Sequence, residues 1–181
     1  MPNNLHATIV NHFGITFLDY PDPENYAVQI YFCGCDFSCS HCSNPELRDT
    51  NCTKDTYRYS VEELTTKIVE VCENNSTNHI VIVGGDSCAR DNRNFTKAFV
   101  ERMHENYNIC IYTGYTIDDV GWFGIDGFKY IKCGTFNDSM QQISEKTDDY
   151  MQFASKNQIL YDEDLNQLSN EGKYYFKTEL I

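Results

Sequence analysis

The sequence is poor in basic side chains and has no long apolar run. Its 181 residues include 14 lysines and arginines against 27 aspartates and glutamates, which gives a formal net charge of −13. Nonspecific binding to nucleic acid and docking on an anionic membrane both need a basic surface, so we expect neither. No apolar stretch reaches the length of a bilayer-spanning helix. The first residues lack a basic segment followed by an apolar one, so we expect no secretory signal.

Cysteine, by contrast, is abundant, with nine residues in the chain. A secreted disulfide scaffold is usually shorter and holds an even number of cysteines. Cys72, Cys88 and Cys110 fall in or beside predicted helices and strands, where a free cysteine often acts as a small buried hydrophobe. The composition therefore favours a reducing cytoplasm and one metal or cluster site over a set of disulfides. The length favours a single domain over residues 1–181.

Three cysteines follow directly after the first strong strand prediction, which covers residues 27–32. Cys35, Cys39 and Cys42 have the spacing C-x3-C-x2-C. Three thiolates in one loop favour a soft metal or an iron–sulfur cluster. A cubane of four irons and four sulfides held by three cysteines leaves one iron with an open position. The loop therefore predicts a centre that can bind a further ligand.

The main alternative for these thiols is a structural zinc site in which Cys33 or Cys52 supplies the fourth ligand. Structural zinc sites commonly use two C-x2-4-C pairs that are well separated in sequence. Here all the candidates except Cys52 fall within ten residues, and no second pair follows. The spacing therefore favours a cluster over zinc, and we expect Cys33 to face the neighbours of its strand.

The remaining chain alternates between strand and helix patterns. Ser60 and Glu63 form a predicted capping box that starts the first helix, which ends near residue 75. This order predicts an α/β fold with a mainly parallel sheet and right-handed crossovers. The other predictions are strands at 79–83, 109–112 and 128–132, helices over 94–107 and from Thr116, a hairpin or edge strand within 5–19, a loop from 33 to about 59, and short strands at 158–161 and 173–177.

Ligands of parallel α/β sheets bind at the carboxyl ends of the strands. We therefore expect the segments that follow the four main strands to face one another, although each glycine segment also suits a plain turn. Gly84 and Gly85 lack a Cβ and would let backbone carbonyls approach a ligand, while Asp86 adds a charge that suits an ammonium group. The four segments are the cysteine loop, Gly84-Gly85-Asp86, Thr113-Gly114-Tyr115-Thr116 and Lys132-Cys133-Gly134.

These segments resemble a known family. The run from Cys35 to Cys42 is similar to the C-x3-C-x-Φ-C signature of radical S-adenosylmethionine enzymes, with His41 at the usually aromatic position. Its continuation through Asn44-Pro45-Glu46 resembles glycyl-radical-activating enzymes. Within that group, the stretches 112–116, 130–136 and 156–158 are similar to the activating proteins of anaerobic (class III) ribonucleoside-triphosphate reductase. The similarity extends from about residue 27 to 161.

The resemblance implies a partial (β/α) barrel and a 4Fe-4S cluster held by Cys35, Cys39 and Cys42. It implies that the open iron binds S-adenosyl-L-methionine. One electron would then split the sulfonium, and the resulting radical would remove a hydrogen from a glycine on the large reductase subunit. The residues assigned around the cofactor are His41, Asn44, Gly84, Gly85 and Asp86, together with Thr113 and Lys132 from their position alone.

The implied partners are that large subunit and a reduced flavodoxin- or ferredoxin-type electron donor. One departure concerns Asp86-Ser87, because the family more often has a proline after its acidic residue, so we expect the carboxylate to sit differently. Another small radical enzyme, of the type that builds a deazaguanine ring, is the nearest alternative. A non-catalytic adaptor that binds zinc or a cluster and docks on a larger enzyme is the alternative from a different class.

Overall fold

The structure is a computed structural model that describes residues 5–52, 55–144 and 149–176. This part of the chain forms three α-helices and ten β-strands. The helices are Val61–Asn74 (α1), Arg93–Met103 (α2) and Ile117–Phe123 (α3). The strands are His6–Val10 (β1), Ile15–Thr16 (β2), Ala27–Phe32 (β3), Thr56–Ser60 (β4), His79–Gly84 (β5), Asn108–Tyr112 (β6), Tyr130–Cys133 (β7), Tyr150–Gln152 (β8), Ile159–Asp162 (β9) and Lys173–Tyr175 (β10).

The central sheet has the order β4-β1-β3-β5-β6-β7-β9, with β2 beside β3. The four strands β3, β5, β6 and β7 are parallel to one another, whereas β1, β4 and β9 extend the sheet with antiparallel pairs. The strands β8 and β10 form a separate two-stranded sheet. The described strands do not close into a barrel. The prediction of an α/β fold with a mainly parallel sheet is confirmed, and the open sheet is consistent with a partial barrel.

The sheet is covered on both faces, which explains the continuous apolar runs of its central strands. On one face, α1 and α2 bury side chains at helical spacing among the core residues of the strands. On the other face, Tyr20 packs with Val81 and Cys110, and Met151 packs with Leu160 beside Tyr112. The buried side chains of these two helices are Leu64, Ile68 and Cys72 of α1 and Phe95, Thr96, Phe99, Val100 and Met103 of α2.

The predicted capping box is confirmed: Ser60 accepts a hydrogen bond from the Glu63 amide, and the Glu63 carboxylate accepts one from the Ser60 amide. A second capping box, between Thr116 and Asp119, begins α3. The helix predicted over 94–107 is shorter, since α2 ends at Met103. None of the described helices combines the length and apolar character that crossing a membrane requires.

The structure differs from the predictions at the edges of the sheet. Of the hairpin or edge strand predicted within 5–19, the hairpin was wrong, because β1 pairs with β3 and β4 while β2 pairs with β3. The loop predicted from 33 to 59 ends earlier, in the edge strand β4, whose alternating polar and aromatic residues gave no apolar run. The short strand β8 was not predicted at all. Of the strand predicted over 173–177, residues 173–175 are confirmed and Lys177 lies outside the described residues.

Candidate metal and cofactor site

The segments predicted to face one another surround a single cavity of about 720 Å³ at the carboxyl ends of β3, β5, β6 and β7. The cysteine loop forms one side, and the segments that follow β5, β6 and β7 form the other. The sequence-based expectation of convergence is therefore confirmed. All ten predicted site residues line this cavity: Cys35, Cys39, His41, Cys42, Asn44, Gly84, Gly85, Asp86, Thr113 and Lys132.

Backbone hydrogen bonds hold the cysteine loop against the sheet. The amide of Gly34 donates to the Leu47 carbonyl at 2.8 Å, and the amide of Cys35 donates to the Arg48 carbonyl at 3.0 Å. The segment at residues 47–48 of the loop therefore lies against its first residues, 34–35. The Asp86 amide donates to the Gly34 carbonyl at 2.7 Å, which ties the end of β5 to the same point. These bonds fix the position of Cys35 relative to the second wall of the cavity.

The three thiols of the loop are free and half-buried. Burial, with a smaller contribution from the charge of Asp86, raises the pKa of the Cys35 thiol to about 11. Metal binding must therefore displace a proton from this group. Among the described residues, no three His, Cys, Asp or Glu side chains come close enough to hold one metal ion. Each thiolate of a three-cysteine cubane binds a different iron, so the thiols of such a cluster need not converge on one metal ion.

Asp86 lies in the wall opposite the thiols and is only 2% exposed. Its carboxylate accepts hydrogen bonds from the Cys88 amide at 2.8 Å and the Gly114 amide at 2.8 Å. The Thr113 hydroxyl donates to the same carboxylate at 2.9 Å. Asp86 therefore joins the end of β5 to the turn between β6 and α3. Its carboxylate is already bound by protein donors, an arrangement that the sequence did not reveal.

Lys132 contributes a buried positive charge to the same cavity. Its side chain is 9% exposed, and its Nζ lies 5.2 Å from the centre of the Tyr112 ring. Burial lowers the pKa of Lys132 to about 8, and the nearby charge of Asp86 opposes that shift. No described residue accepts a hydrogen bond from its Nζ. The ammonium is thus available to an anionic group of a ligand.

His41 occupies the outer end of the cysteine loop. Its Nδ1 lies 2.6 Å from the Asp138 carboxylate, which also accepts a hydrogen bond from Ser40. The ring of Phe136 meets the His41 ring edge-on at 6.3 Å. These contacts attach the loop to the segment that follows β7, and His41 also lines the cavity.

Comparison with known families matches residues 24–161 to the family described as a 4Fe-4S single cluster domain. The chain belongs to this family. The match includes the cysteine loop and all four parallel strands, so the expected 4Fe-4S cofactor is confirmed at the level of the family. No curated protein matches the sequence.

Within this 4Fe-4S domain, Cys33 and Cys52 correct the sequence analysis. They form a disulfide with a Cα–Cα distance of 6.1 Å, buried with Leu47. The preference for a metal or cluster site over disulfides therefore does not extend to this pair, and a bonded Cys33 or Cys52 does not serve as a fourth zinc ligand. The physical reason is the return of the loop, which brings together two cysteines 19 residues apart. Sequence spacing gave no signal of this.

The sequence analysis of the 4Fe-4S domain also missed three residues that support the cysteine loop. The Arg48 guanidinium donates a hydrogen bond to the Cys39 carbonyl. Phe37 meets the Tyr115 ring at 4.8 Å, and Asp138 binds Ser40 and His41. Of these three residues, only Asp138 could have been identified from the sequence, because it is an acidic residue shortly after a strand that ends at the site. The other two depend on contacts within and across the loop.

A pH dependence of stability follows from the burial of Asp86. Desolvation raises the pKa of this carboxyl to about 6, above its ordinary value of about 4. Between these values the folded chain retains a proton that the unfolded chain loses, so the contribution of Asp86 to stability falls as pH rises from about 4 to about 6. This pKa shift corresponds to a change of roughly 3 kcal/mol in the free energy of unfolding.

The measurement is urea unfolding of the metal-free chain and its Asp86→Asn variant from pH 4 to pH 7. Other carboxyl groups titrate in both proteins, so their effects cancel in the difference. We expect the free energy of unfolding of the native chain, relative to the variant, to decrease by roughly 3 kcal/mol over this range. A difference that stays constant with pH would contradict the assignment to Asp86.

Proposed function

We propose that this chain is a radical S-adenosylmethionine enzyme that activates an anaerobic ribonucleoside-triphosphate reductase in the cytoplasm. When bound, the cluster and S-adenosylmethionine would supply a radical that makes a glycyl radical on the large reductase subunit. The observation that carries the proposal is the shared cavity, which brings three thiols opposite a wall of glycine, acidic and basic residues. Its volume of about 720 Å³ suits a cluster together with a small-molecule ligand.

In this proposal the two walls of the cavity have different roles. Cys35, Cys39 and Cys42 would hold three irons and leave the fourth open toward the opposite wall. Gly84 and Gly85 would present backbone to the methionyl group, because both line the cavity at the end of β5. His41 would lie against the adenine, and Asn44 would contact the cofactor from the same loop.

The charges of the second wall match the charges of the proposed ligand. The buried ammonium of Lys132 would receive the methionyl carboxylate. Asp86 would favour the methionyl ammonium through its charge, since its oxygens are already bound by the Thr113–Gly114 turn. Thr113 would therefore act mainly by holding Asp86. No step of this proposal needs a general acid or base from the chain.

The test is electron paramagnetic resonance of the anaerobically reconstituted and reduced protein, with and without S-adenosylmethionine. We expect a 4Fe-4S signal that changes shape when the cofactor is added, because the ligand binds directly to the open iron. Addition of the large reductase subunit should then produce a glycyl radical signal. A cluster signal unaffected by S-adenosylmethionine would instead point to a non-catalytic cluster-binding adaptor. A changed cluster signal without a glycyl radical would point to another radical enzyme, such as the deazaguanine-forming type.

A further inference from the structure

Arg48 lies in the cysteine loop and contacts two of the three proposed cluster ligands. Its guanidinium donates a hydrogen bond to the Cys39 carbonyl, and its own carbonyl accepts a hydrogen bond from the Cys35 amide at 3.0 Å. Arg48 does not line the cavity. Its side chain therefore reaches the cluster ligands from outside the space in which a cluster and a further ligand would lie.

The charge of Arg48 is not neutralised by an ion pair within the described part of the chain. None of the described salt bridges includes Arg48. The residue is half-buried, and its Nε is buried without a hydrogen-bond partner among the described residues. Water therefore reaches only part of the guanidinium. Because burial reduces screening by solvent, this charge acts on its surroundings more strongly than that of a fully exposed arginine.

The carboxylates on or beside the cysteine loop do not cancel this charge. Glu46 and Asp49 are the acidic residues nearest to Arg48 in the chain, and both are exposed. Asp36 and Asp138 are exposed as well. Solvent and salt screen the charges of such groups. All four carboxylates stay in place when Arg48 alone is substituted, so such a substitution isolates the effect of the guanidinium.

Arg48 differs from Lys132, the other cation near the thiols. Lys132 lines the cavity opposite the cysteine loop, and the buried carboxylate of Asp86 opposes its charge. An anionic ligand in the cavity would also meet Lys132. Arg48 lies outside the cavity, so its charge persists whatever occupies that space.

We propose that the Arg48 guanidinium raises the reduction potential of the 4Fe-4S cluster and makes the cluster easier to reduce. A 4Fe-4S cluster held by three thiolates is an anion, and an added electron increases its negative charge. A nearby cation therefore stabilises the reduced cluster more than the oxidised one, and net charge is among the properties that set the potential. No bond of the chain is made or broken. The inference rests on membership of the 4Fe-4S family and not on cleavage of S-adenosylmethionine.

The test is a redox titration of the anaerobically reconstituted protein with dithionite as the electron source. The electron paramagnetic resonance signal of the reduced cluster is measured as a function of potential. Arg48→Gln and Arg48→Met remove the charge, and Arg48→Lys keeps it. We expect each neutral variant to shift the reduction equilibrium about tenfold toward the oxidised cluster, which lowers the potential by about 59 mV for one electron. Arg48→Lys should stay within about twofold of wild type.

Arg102→Gln is the matched control, because it also removes the charge of an arginine. Arg102 is exposed in the last turn of α2. Helix α2 ends shortly before β6 begins, so Arg102 lies near the amino ends of the parallel strands, at the edge opposite the cavity. Solvent screens a charge at that distance, and the reduction equilibrium of this variant should stay within about twofold of wild type.

Several outcomes would overturn the inference. The first is a wild-type potential in the neutral variants, even where they load less iron, because the potential of the loaded fraction does not depend on its amount. An equal shift in Arg48→Lys would assign the effect to the guanidinium hydrogen bond with Cys39. An equal shift in Arg102→Gln would assign it to the net charge of the chain. Failure of both neutral variants to bind any iron would show that Arg48 is needed for the cluster itself and not for its potential.

The proposed function fails separately. A cluster signal that S-adenosylmethionine leaves unchanged would reject that function, whereas the titration is made without the cofactor and keeps its meaning.

Discussion

Replacing Cys39 with serine is expected to abolish cluster-dependent chemistry. Cys39 is the central cysteine of C-x3-C-x2-C, and its thiol is one of three that line the cavity. A serine hydroxyl is a poor ligand for a soft iron–sulfur centre. Mutations of residues that only support metal ligands already reduce affinity 10–100-fold, so loss of a ligand should reduce cleavage of S-adenosylmethionine by roughly a hundredfold or more.

The measurement combines the iron content of the anaerobically reconstituted protein with dithionite-driven cleavage. Cys72→Ala is the matched control, because Cys72 is a free and buried thiol of α1 that does not line the cavity. This variant should keep its iron and lose only about 1 kcal/mol of stability through the missing sulfur. A Cys39→Ser protein with full iron and full cleavage would exclude the proposed ligand set. Equal loss in both variants would indicate general damage to the fold.

Replacing Gly85 with alanine is expected to destabilise the chain and to prevent cluster loading. An added Cβ would overlap the carbonyl oxygen of Gly34 and would lie 2.7 Å from that of Leu47. Both atoms belong to the backbone of the cysteine loop, so they cannot move aside as a flexible side chain would. Overpacking of this kind typically costs 1–3 kcal/mol of stability, and contact with fixed backbone places the cost of Gly85→Ala at about 3 kcal/mol.

Gly121→Ala provides the control for this substitution. Nothing lies within 4 Å of a Cβ at position 121, which is exposed on α3. There alanine should stabilise the chain by about 0.8 kcal/mol, because it favours a helix more than glycine does. Urea unfolding and iron content of both variants test the pair. A Gly85→Ala variant that unfolds at the same urea concentration as wild type and takes up a full cluster would contradict this prediction. It would show that the close approach of β5 to the cysteine loop does not constrain the loop.

The sequence predicted the central fold because its signals there are local. Residues 79–83 and 109–112 are apolar runs covered on both faces, and Ser60 with Glu63 satisfies helix amides within a single turn. Edge elements gave weaker signals. The strand β4 is half-exposed and polar, and β1 lies between strands from different parts of the chain, so no local pattern identified their partners.

The residues of the candidate site were also predicted, but not their contacts. The rule that ligands bind at the carboxyl ends of parallel strands was sufficient to bring Cys35, Gly85 and Lys132 to one cavity. It did not show that Asp86 turns its carboxylate toward Thr113 and Gly114. That hydrogen-bond network joins residues 27 and 28 positions apart, and sequence periodicity carries no information about such a pairing.

The sequence by itself thus determined the order of the parallel strands and the helices between them, the thiol motif and the edge of the sheet where the site lies, because each depends on local pattern or on chain connectivity. Only the tertiary structure decided that Cys33 is bonded to Cys52, that Asp86 and Lys132 are buried, and that Trp122 is exposed. These properties depend on which distant segments pack together. Burial and hydrogen-bond partners, and through them pKa, are set by that packing and not by the identity of the residue.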